Sequence, residues 1–353
     1  GMAGPGSLSS IGHLTGSTRI DMRRIFWLFI PLLLTSCFEE DEAVLPHEPG
    51  DVETAMIAMT KNYANHVFFD LGPEKDVLTA GKLNWDLGFE PGPAGWRIYL
   101  NTTRFMQAAL SGNPAFESVK DTSGLVWNFD TSSGNPDSTA FGPWYTVIGQ
   151  DTVPKQLVYV LDLGFDAMGN MLGFRKLQIT GWSRTSYTIR YARLDGSDEM
   201  TATIPKDSDR DIICFSLRNH KIETDVRPVS SQWDLWFTQY TTLLYTLDGT
   251  PYPYLVTGVL TNRFAGAAAV RVQGHTFAEI NYDIAQGLTF EDKADAIGYD
   301  WKYYDFNAAS YSVDPELTYV VRTVDGELFK LRFIGFYNNL GEKGYPTIEY
   351  QRL

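Results

Sequence analysis

Two stretches with the same alternation of apolar and polar residues predict the central strands of this chain. In residues 231–237 (SQWDLWF) the first Trp, the Leu and the final Phe lie two residues apart, and residues 82–89 (KLNWDLGF) repeat that spacing. A period of two is typical of a β-strand with one buried face, and it turns the intervening Asp to the other face. Trp85 and Trp233 are 148 positions apart, and this second copy of the pattern indicates a duplication.

Other strand-like segments follow these two stretches in matching order. Segments of the second half resemble segments of the first at offsets of 146 to 159 residues, as loop insertions would produce. The matched pairs are 68–71 with 214–217, 101–105 with 260–264, 176–182 with 330–336 and 188–191 with 347–350. We therefore predict an all-β protein built from two tandem homologous antiparallel β modules.

Polar and turn-forming segments predict the limits of these modules. The stretch 204–211 is polar, contains a proline and separates two apolar runs, which is typical of a boundary. We predict a first module over 51–205 and a second over 211–353. The composition, with 14% aromatic residues, 31 Gly and 17 Pro, fits a chain rich in strands and turns.

The two modules differ most after the Trp-Asp-Leu strand. The first has a short Pro- and Gly-rich turn at 91–95, whereas the second has the tyrosine-rich stretch 238–254. Asp248-Gly249 within that stretch is a typical hairpin turn. The pattern predicts a protruding hairpin, and loops on a rigid sheet scaffold are frequent binding sites.

The first 37 residues predict an export signal rather than part of the fold. Arg23 and Arg24 precede the apolar run 25–34, which is about half of the ~20 residues that a membrane span needs. The following Leu-Thr-Ser-Cys resembles a bacterial lipobox, which implies that Cys37 is lipidated; the alternative is an ordinary secretory signal with an incidental Cys. We predict a leader and lipoprotein signal peptide over 1–37.

The segment 38–50 predicts an acidic tether. Residues 39–42 (EEDE) look like the export tag of surface-exposed Bacteroidetes lipoproteins, although a solvated tether needs no receptor. Removal of residues 1–37 takes away three basic residues and one acidic residue, which moves the net charge from −14 to −16. This charge argues against nucleic acid as a partner. Cys214 would then be the only Cys of the mature chain besides Cys37, and we expect it to be a buried, inert thiol.

Several segments together resemble the HmuY family, the surface lipoproteins of Bacteroidetes whose founding member is a haem-binding hemophore. The resemblance is carried by 232–237, 259–263, 319–333 and 344–350, and it is fainter in the first module. It implies an all-β fold and a lipid anchor. For characterised members it also implies haem held by two axial side chains, which are His pairs in some and Met pairs in others.

A haem with two axial ligands needs one side chain on each face of the ring. The second module contains His220 and His275 and no Met. Because Tyr can also ligate ferric haem, the candidate pair is His275 with Tyr252 or Tyr254. No other metal site is predicted.

A plainer interpretation of the same residues stays open. His275 follows a glycine turn and fits an ordinary surface residue, and the tyrosines fit sheet and rim positions. In the first module Met106 has no evident partner, and His66 fits a strand end.

The sequence contains no familiar catalytic motif, so we predict that the protein is not an enzyme. His-Glu-x-x-His, Gly-x-Ser-x-Gly, phosphate-loop, dinucleotide-binding and Cys-x-x-Cys patterns are all missing from it. Carboxylates are plentiful, but abundance does not select a catalytic pair. The recurrence of Asp86 and Asp234 in equivalent strands favours a structural role for both.

The leading hypothesis is therefore a lipid-anchored binding protein of the outer membrane, on the cell surface or the periplasmic face. Its expected ligand is haem or a related tetrapyrrole, as the family resemblance implies. The alternative hypothesis is a module that binds a glycan, a peptide or a partner protein through the tyrosine-rich hairpin.

Overall fold

The computed structural model describes residues 48–353. The predicted signal segment 1–37, the lipidation residue Cys37 and most of the tether 38–50 lie outside the described residues. Within the described part, no helix is both long and apolar enough to cross a membrane.

The described regular structure consists of β-strands, a single five-residue α-helix at Tyr282–Gln286 and several 3-10 turns. The strands up to residue 205 are β1 (Glu53–Met56), β2 (Asn65–Asp70), β3 (Lys75–Gly81), β4 (Leu87–Phe89), β5 (Ile98–Leu100), β6 (Gln107–Leu110), β7 (Tyr145–Ile148), β8 (Asp151–Pro154), β9 (Val158–Asp162), β10 (Phe174–Trp182), β11 (Ser186–Ala192) and β12 (Met200–Pro205). The later strands are β13 (Ile213–Ser216), β14 (Lys221–Ile222), β15 (Leu235–Tyr245), β16 (Pro251–Thr261), β17 (Ala268–Arg271), β18 (Lys302–Asp305), β19 (Ser310–Val313), β20 (Thr318–Arg322), β21 (Leu328–Tyr337) and β22 (Lys343–Arg352). The 3-10 turns are Thr102–Arg104, Phe116–Ser118, Ser230–Gln232, Arg263–Ala265 and Ala294–Ala296.

The strands form two pairs of corresponding antiparallel sheets. The five-stranded sheets have the orders β12-β11-β10-β9-β6 and β1-β22-β21-β20-β17. The four-stranded sheets have the orders β14-β13-β4-β5 and β16-β15-β2-β3, and β7-β8 and β18-β19 are separate hairpins. The all-β prediction is confirmed.

The two halves of the chain exchange strands. Phe215 in β13 pairs with Leu87 in β4, and Phe69 in β2 pairs with Leu235 in β15. In the same way β1 pairs with the last strand, β22, although it lies at the start of the described chain. The predicted modules 51–205 and 211–353 are therefore not separate in space: the segment between them leads from one sheet to the next, and the described residues form one compact unit.

Each of the two main cores contains side chains from both halves. One core packs β4 to β11 around Ile213, Phe215 and Leu217 of the second half. The other packs the second half around five residues of the first, namely Ile57, Met59, Val67, Phe69 and Leu71. We call these cores, with their sheets, the first and the second β unit. A third apolar cluster, which includes Trp85 and Trp233, joins the two units.

The two Trp-Asp-Leu segments, which lead into β4 and β15, are anchored in the same way at their tryptophans. The Nδ2 atoms of Asn101 and Asn262 donate to the carbonyl oxygens of Trp85 and Trp233, each over 2.8 Å. One oxygen of Asp86 accepts the backbone N–H of Leu217 over 2.6 Å. The Asp86 carboxylate thus links the start of β4 to the end of β13, as a structural role requires.

Asp234 has the corresponding place, with different surroundings. Its two oxygens accept the backbone N–H groups of Leu71, over 3.0 Å, and of Val324, over 2.8 Å. The other oxygen of Asp86 instead pairs with Arg104, and both of these side chains are fully buried. Cys214 is buried, as predicted, and burial raises the pKa of its thiol to about 12, which disfavours the reactive thiolate.

His66 should make the protein sensitive to acid. Its ring is 1% exposed, Nδ1 accepts from Trp236 Nε1 over 3.0 Å, and burial, followed by the charge of Arg227, lowers its pKa to about 3. Between pH ~6.5 and ~3 the unfolded chain binds a proton there that the folded chain does not, so stability falls as the pH falls. We expect this group to cost roughly 3 kcal/mol at pH ~4.5.

Urea unfolding of wild type and His66→Asn at pH ~7 and pH ~4.5 measures this effect. The Asn oxygen can replace Nδ1 as acceptor and does not titrate. Acidification should therefore destabilise the variant less than the wild type by about 3 kcal/mol. An equal loss in both proteins would contradict the assignment.

Candidate functional site

The tyrosine-rich stretch forms a long hairpin, as predicted. Strands β15 and β16 pair continuously from Leu235 opposite Thr261 to Tyr245 opposite Pro251. The turn is closed by the N–H of Thr246, which donates to the carbonyl of Thr250 over 3.0 Å, and Gly249 supplies the positive φ that the turn needs. Strand β15 pairs with β2 only over its first three residues, so the outer part of the hairpin extends beyond the sheet.

Tyr252 and Tyr254 lie side by side on this hairpin. They are two residues apart on β16 and so point to one face. Their ring centroids are 6.3 Å apart in an edge-to-face arrangement, and the side chains are 37% and 53% exposed. Tyr240, earlier on β15, is buried instead. The two predicted candidates are therefore together and accessible.

A second hairpin, β18-β19, adds more aromatic residues. The ring of Tyr304 lies 5.2 Å from Phe306 and 5.1 Å from Tyr311. Burial raises the pKa of Tyr311, and the nearby phenol of Tyr254 raises it further, so the two hairpins approach each other here. We call Tyr252, Tyr254, Tyr304, Phe306 and Tyr311 the aromatic surface. This second hairpin was not predicted from the sequence, although the closely spaced aromatic residues at 303–311 could have indicated it.

Two lysines flank the aromatic surface. The Nζ atoms of Lys302 and Lys343 each lie 5.9 Å from the centroid of the Tyr311 ring. Lys302 Nζ also lies 4.4 Å from the Trp301 ring, and burial lowers its pKa to about 7. Lys302 Nζ donates to the carbonyls of Thr257 and, over 3.3 Å, Tyr299, so it is engaged inside the fold. The exposed Lys343 is the lysine that offers positive charge beside these rings.

His275 lies on the turn after β17, exposed and next to Gly274. In the described structure it makes no hydrogen bond or ring contact with Tyr252 or Tyr254. The structure thus brings the two tyrosines together but does not show His275 beside them. No group of three or more His, Cys, Asp or Glu residues suited to a metal ion occurs in 48–353.

His220 and Met106 are engaged in other contacts. Tyr191 OH and His220 Nδ1 are 2.9 Å apart, and His220 Nε2 lies 3.3 Å from Asp198. Met106 is buried, and its sulfur accepts from Arg104 over 3.2 Å. Neither side chain is available to an external ligand in this conformation.

Two exposed methionines on one turn were also missed. Met168 and Met171 are 74% and 62% exposed. Oδ1 of Asp166 shapes the turn by accepting the N–H groups of Met168 and Asn170 over 2.8 and 2.9 Å. Thioethers can ligate haem iron. The Met-Gly-Asn-Met sequence at 168–171 could have indicated these candidates from the sequence alone.

The profile of the HmuY protein family matches residues 62–350. Among solved structures, the chain is similar to apo PinO from Porphyromonas gingivitis, with 10% identity over 86% of this chain and 97% of that chain and a TM-score of 0.28. It is also similar to an apo HmuY analog from Tannerella forsythia, with 10% identity over 87% and 98% and a TM-score of 0.21. A comparison with curated proteins gave no significant match.

Proposed function

The chain belongs to the HmuY family, and on this basis we propose that it is a non-enzymatic lipoprotein that binds haem or a related tetrapyrrole. It would be anchored to the outer membrane through Cys37, on the cell surface or the periplasmic face. The aromatic surface is the proposed binding region.

The observation that best supports this proposal is the set of flat rings on the two hairpins with an exposed lysine, Lys343, beside them. A tetrapyrrole is a planar ring system with acidic side chains. Aromatic side chains can pack on such a ring, and ammonium groups can pair with carboxylates. Tyr252, Tyr254 and Tyr304 offer the rings, while the exposed Lys343 offers the amine.

Tyr252 or Tyr254 is the proposed iron ligand at this surface. A tyrosine phenolate is an established axial ligand of ferric haem, and both rings are accessible. His275 remains the proposed second ligand from the sequence, and Met168 or Met171 is a further candidate for a single thioether ligand.

The second candidate function is recognition of a glycan, a peptide or a partner protein by the same surface. The exposure of its tyrosines favours this alternative, because exposed tyrosines are common in protein interfaces and supply rigid, amphipathic contact area. It requires no iron ligand, so binding would not depend on the phenol oxygens of Tyr252 and Tyr254.

A haemin titration tests the first candidate. We expect micromolar haemin to give a saturable Soret shift with the purified protein. If a phenolate ligates the iron, Tyr252→Phe or Tyr254→Phe should weaken binding at least about tenfold, since the iron bond is lost while the ring remains. The matched control is Tyr303→Phe, because Tyr303 is exposed on the β18-β19 hairpin but is not a proposed ligand.

The possible outcomes separate the hypotheses. No spectral change at micromolar haemin would contradict haem binding and favour the second candidate. A Soret shift that survives both Tyr→Phe variants and His275→Ala, but is lost in Met168→Leu, would move the ligands to the methionine turn.

A further inference from the structure

The three most exposed large apolar side chains among residues 48–353 all lie on hairpin turns. Leu247, Phe306 and Leu340 are 111%, 88% and 84% exposed. They occupy the turns of β15-β16, β18-β19 and β21-β22, respectively. We call these three residues the apolar tips. Singly exposed apolar residues are common on protein surfaces, so the positions of the three tips relative to one another decide what they mean.

The first two of these hairpins lie side by side and run in the same direction. Lys302, at the start of β18, donates to the carbonyl of Thr257 on β16. Nearer to both turns, burial, followed by the phenol of Tyr254, raises the pKa of Tyr311 on β19, so these two side chains are close together. A step along β16 towards its turn is therefore matched by a step along the β18-β19 hairpin towards its own turn. Both turns thus lie at the same end of the second β unit.

The third hairpin ends beside the second. The backbone N–H of Tyr311 donates to the hydroxyl of Tyr337, the last residue of β21, over 2.7 Å. The Nζ atom of Lys343, the first residue of β22, lies 5.9 Å from the centroid of the Tyr311 ring. Tyr337 and Lys343 flank the β21-β22 turn. The apolar tips are therefore gathered at one end of the second β unit.

Tyrosines lie behind the tips on the two tyrosine-bearing hairpins. Tyr245 ends β15, two residues before Leu247, and is 65% exposed. Tyr303 and Tyr304 occupy the corresponding positions before Phe306 and are also exposed. This order, with apolar residues at the ends and tyrosines one step back, matches the profile of a lipid bilayer. Tyrosine prefers the interface of a bilayer, and apolar side chains prefer its hydrocarbon.

The charges around the tips are mixed. One acidic residue lies in or beside each of the three turns, namely Asp248, Asp305 and Glu342. Lys61 pairs with Glu342 over 3.4 Å, and Lys343 follows Glu342 in the sequence. The two lysines do not outnumber the acidic residues, whereas attraction to anionic lipid needs an excess of positive charge. This end of the molecule therefore suits a zwitterionic surface.

The tips project from separate turns rather than from one continuous face. Polar residues such as Asn307 and Asn339 stand directly beside them in the sequence. A protein partner with a closely packed interface would need a separate pocket for each tip. A fluid bilayer accepts each side chain independently, so the arrangement favours a lipid surface.

The predicted tether is long enough for such a contact, a step that rests on the proposed lipid anchor. The N–H of Gly50 donates to the carbonyl of Arg352 over 2.9 Å, which places Gly50 at the end of β22 away from the tips. Strand β22 has ten residues and is about 30 Å long at ~3.3 Å per residue. Residues 38–49 can span up to about 40 Å, so an anchor at Cys37 and the tips can reach the same bilayer.

We propose that the apolar tips insert into the surface of a zwitterionic lipid bilayer. Leu247, Phe306 and Leu340 enter the boundary of the hydrocarbon, and the tyrosines behind them lie at the level of the headgroups. The aromatic surface is on the same hairpins and is therefore held close to the membrane.

Vesicle sedimentation of the mature chain, residues 37–353 with Cys37→Ser, tests the proposal without a lipid anchor. We expect the protein to pellet with phosphatidylcholine vesicles at millimolar lipid, and added salt should not release it, since the contact is apolar. Leu247→Ser, Phe306→Ser and Leu340→Ser should each weaken partitioning at least about fivefold, because an apolar side chain is no longer removed from water. The matched control is Val126→Ser. Val126 is 76% exposed but lies between β6 and β7, so its replacement should leave partitioning unchanged.

A fluorescent label reports the insertion directly. A polarity-sensitive dye on the Leu247→Cys variant of this chain should shift to the blue when vesicles are added, whereas the same dye on the Val126→Cys variant should not. Cys214 is buried and should not take up the dye.

Two results would overturn the proposal. The first is no sedimentation with vesicles, which would leave a protein or a glycan as the partner of this end. The second is a loss in Val126→Ser equal to that in the tip variants. The vesicle assay needs no haemin, and the tip variants retain Tyr252 and Tyr254, so a haemin titration shows separately whether the proposed function fails.

Discussion

Expressed as separate chains, residues 51–205 and residues 211–353 are each expected to be unfolded and to fold together when mixed. The first fragment lacks Ile213, Phe215 and Leu217, which complete its core. Burial of three such side chains contributes roughly 5–9 kcal/mol, which is comparable to the entire stability of a typical domain at about 5–15 kcal/mol. The second fragment lacks β1 and β2 and loses its core in the same way.

Circular dichroism and size-exclusion chromatography of each fragment and of their mixture measure this outcome. The matched control is the full chain with a protease site placed at 207–209 and cut after folding. It contains nearly the same two fragments and should remain one folded species. A folded, monomeric 51–205 fragment would contradict the exchange of strands.

Asp86→Asn is expected to cost about 3–5 kcal/mol of unfolding free energy, since it leaves a buried cation without its partner. Arg104 is 0% exposed, and two of its three guanidinium nitrogens have no partner even in the wild type. Burial already lowers the pKa of Arg104, and the charge of Asp86 is the main effect opposing that shift. The amide of Asn cannot replace this charge.

Asp234→Asn is the matched control at the corresponding Trp-Asp-Leu segment of the second half. Asp234 forms no salt bridge in the described structure and accepts the backbone N–H groups of Leu71 and Val324. Burial, with a smaller effect of the neighbouring Asp70, raises its pKa to about 7, so the loss of its negative charge leaves no buried cation unpaired. This substitution loses one hydrogen bond, worth about 1 kcal/mol. Urea unfolding compares the two variants. Arg104→Met in the Asp86→Asn background should recover most of the loss, and equal costs at the two sites would contradict the ion-pair argument.

The sequence predicted the strands better than their partners. Alternation at 82–89 and 231–237 predicted one buried face, and the residues of that face are indeed buried. The other face, which carries Asp86, Asp234 and Trp236, is buried as well, because the third apolar cluster and the backbone donors of neighbouring segments cover it. The alternation carries no information about which strand lies alongside. Phe69 and Phe215 occupy equivalent positions in the two halves, so either could pair with either Trp-Asp-Leu strand on local grounds. Only the geometry of the folded chain decides that each pairs with the strand of the other half.

For similar reasons, the sequence predicted only part of the candidate site. A turn sequence and spaced tyrosines were enough to place Tyr252 and Tyr254 on a protruding hairpin. The spatial position of His275 depends on how distant strands pack, which local sequence does not encode.

The pairing of β1 with β22 also fixes how the molecule bears load. Tension applied through the residues before Glu53 enters at a four-residue edge strand. The next resistance comes from the N–H groups of Ile57 and Met59, which donate to carbonyls of the C-terminal segment over 2.8 and 3.0 Å. The second β unit therefore takes the strain first. The strands of the first unit lie later in the chain than Asp70. Tension therefore reaches them only after the hydrogen bonds of β1, Ile57 and Met59 have broken.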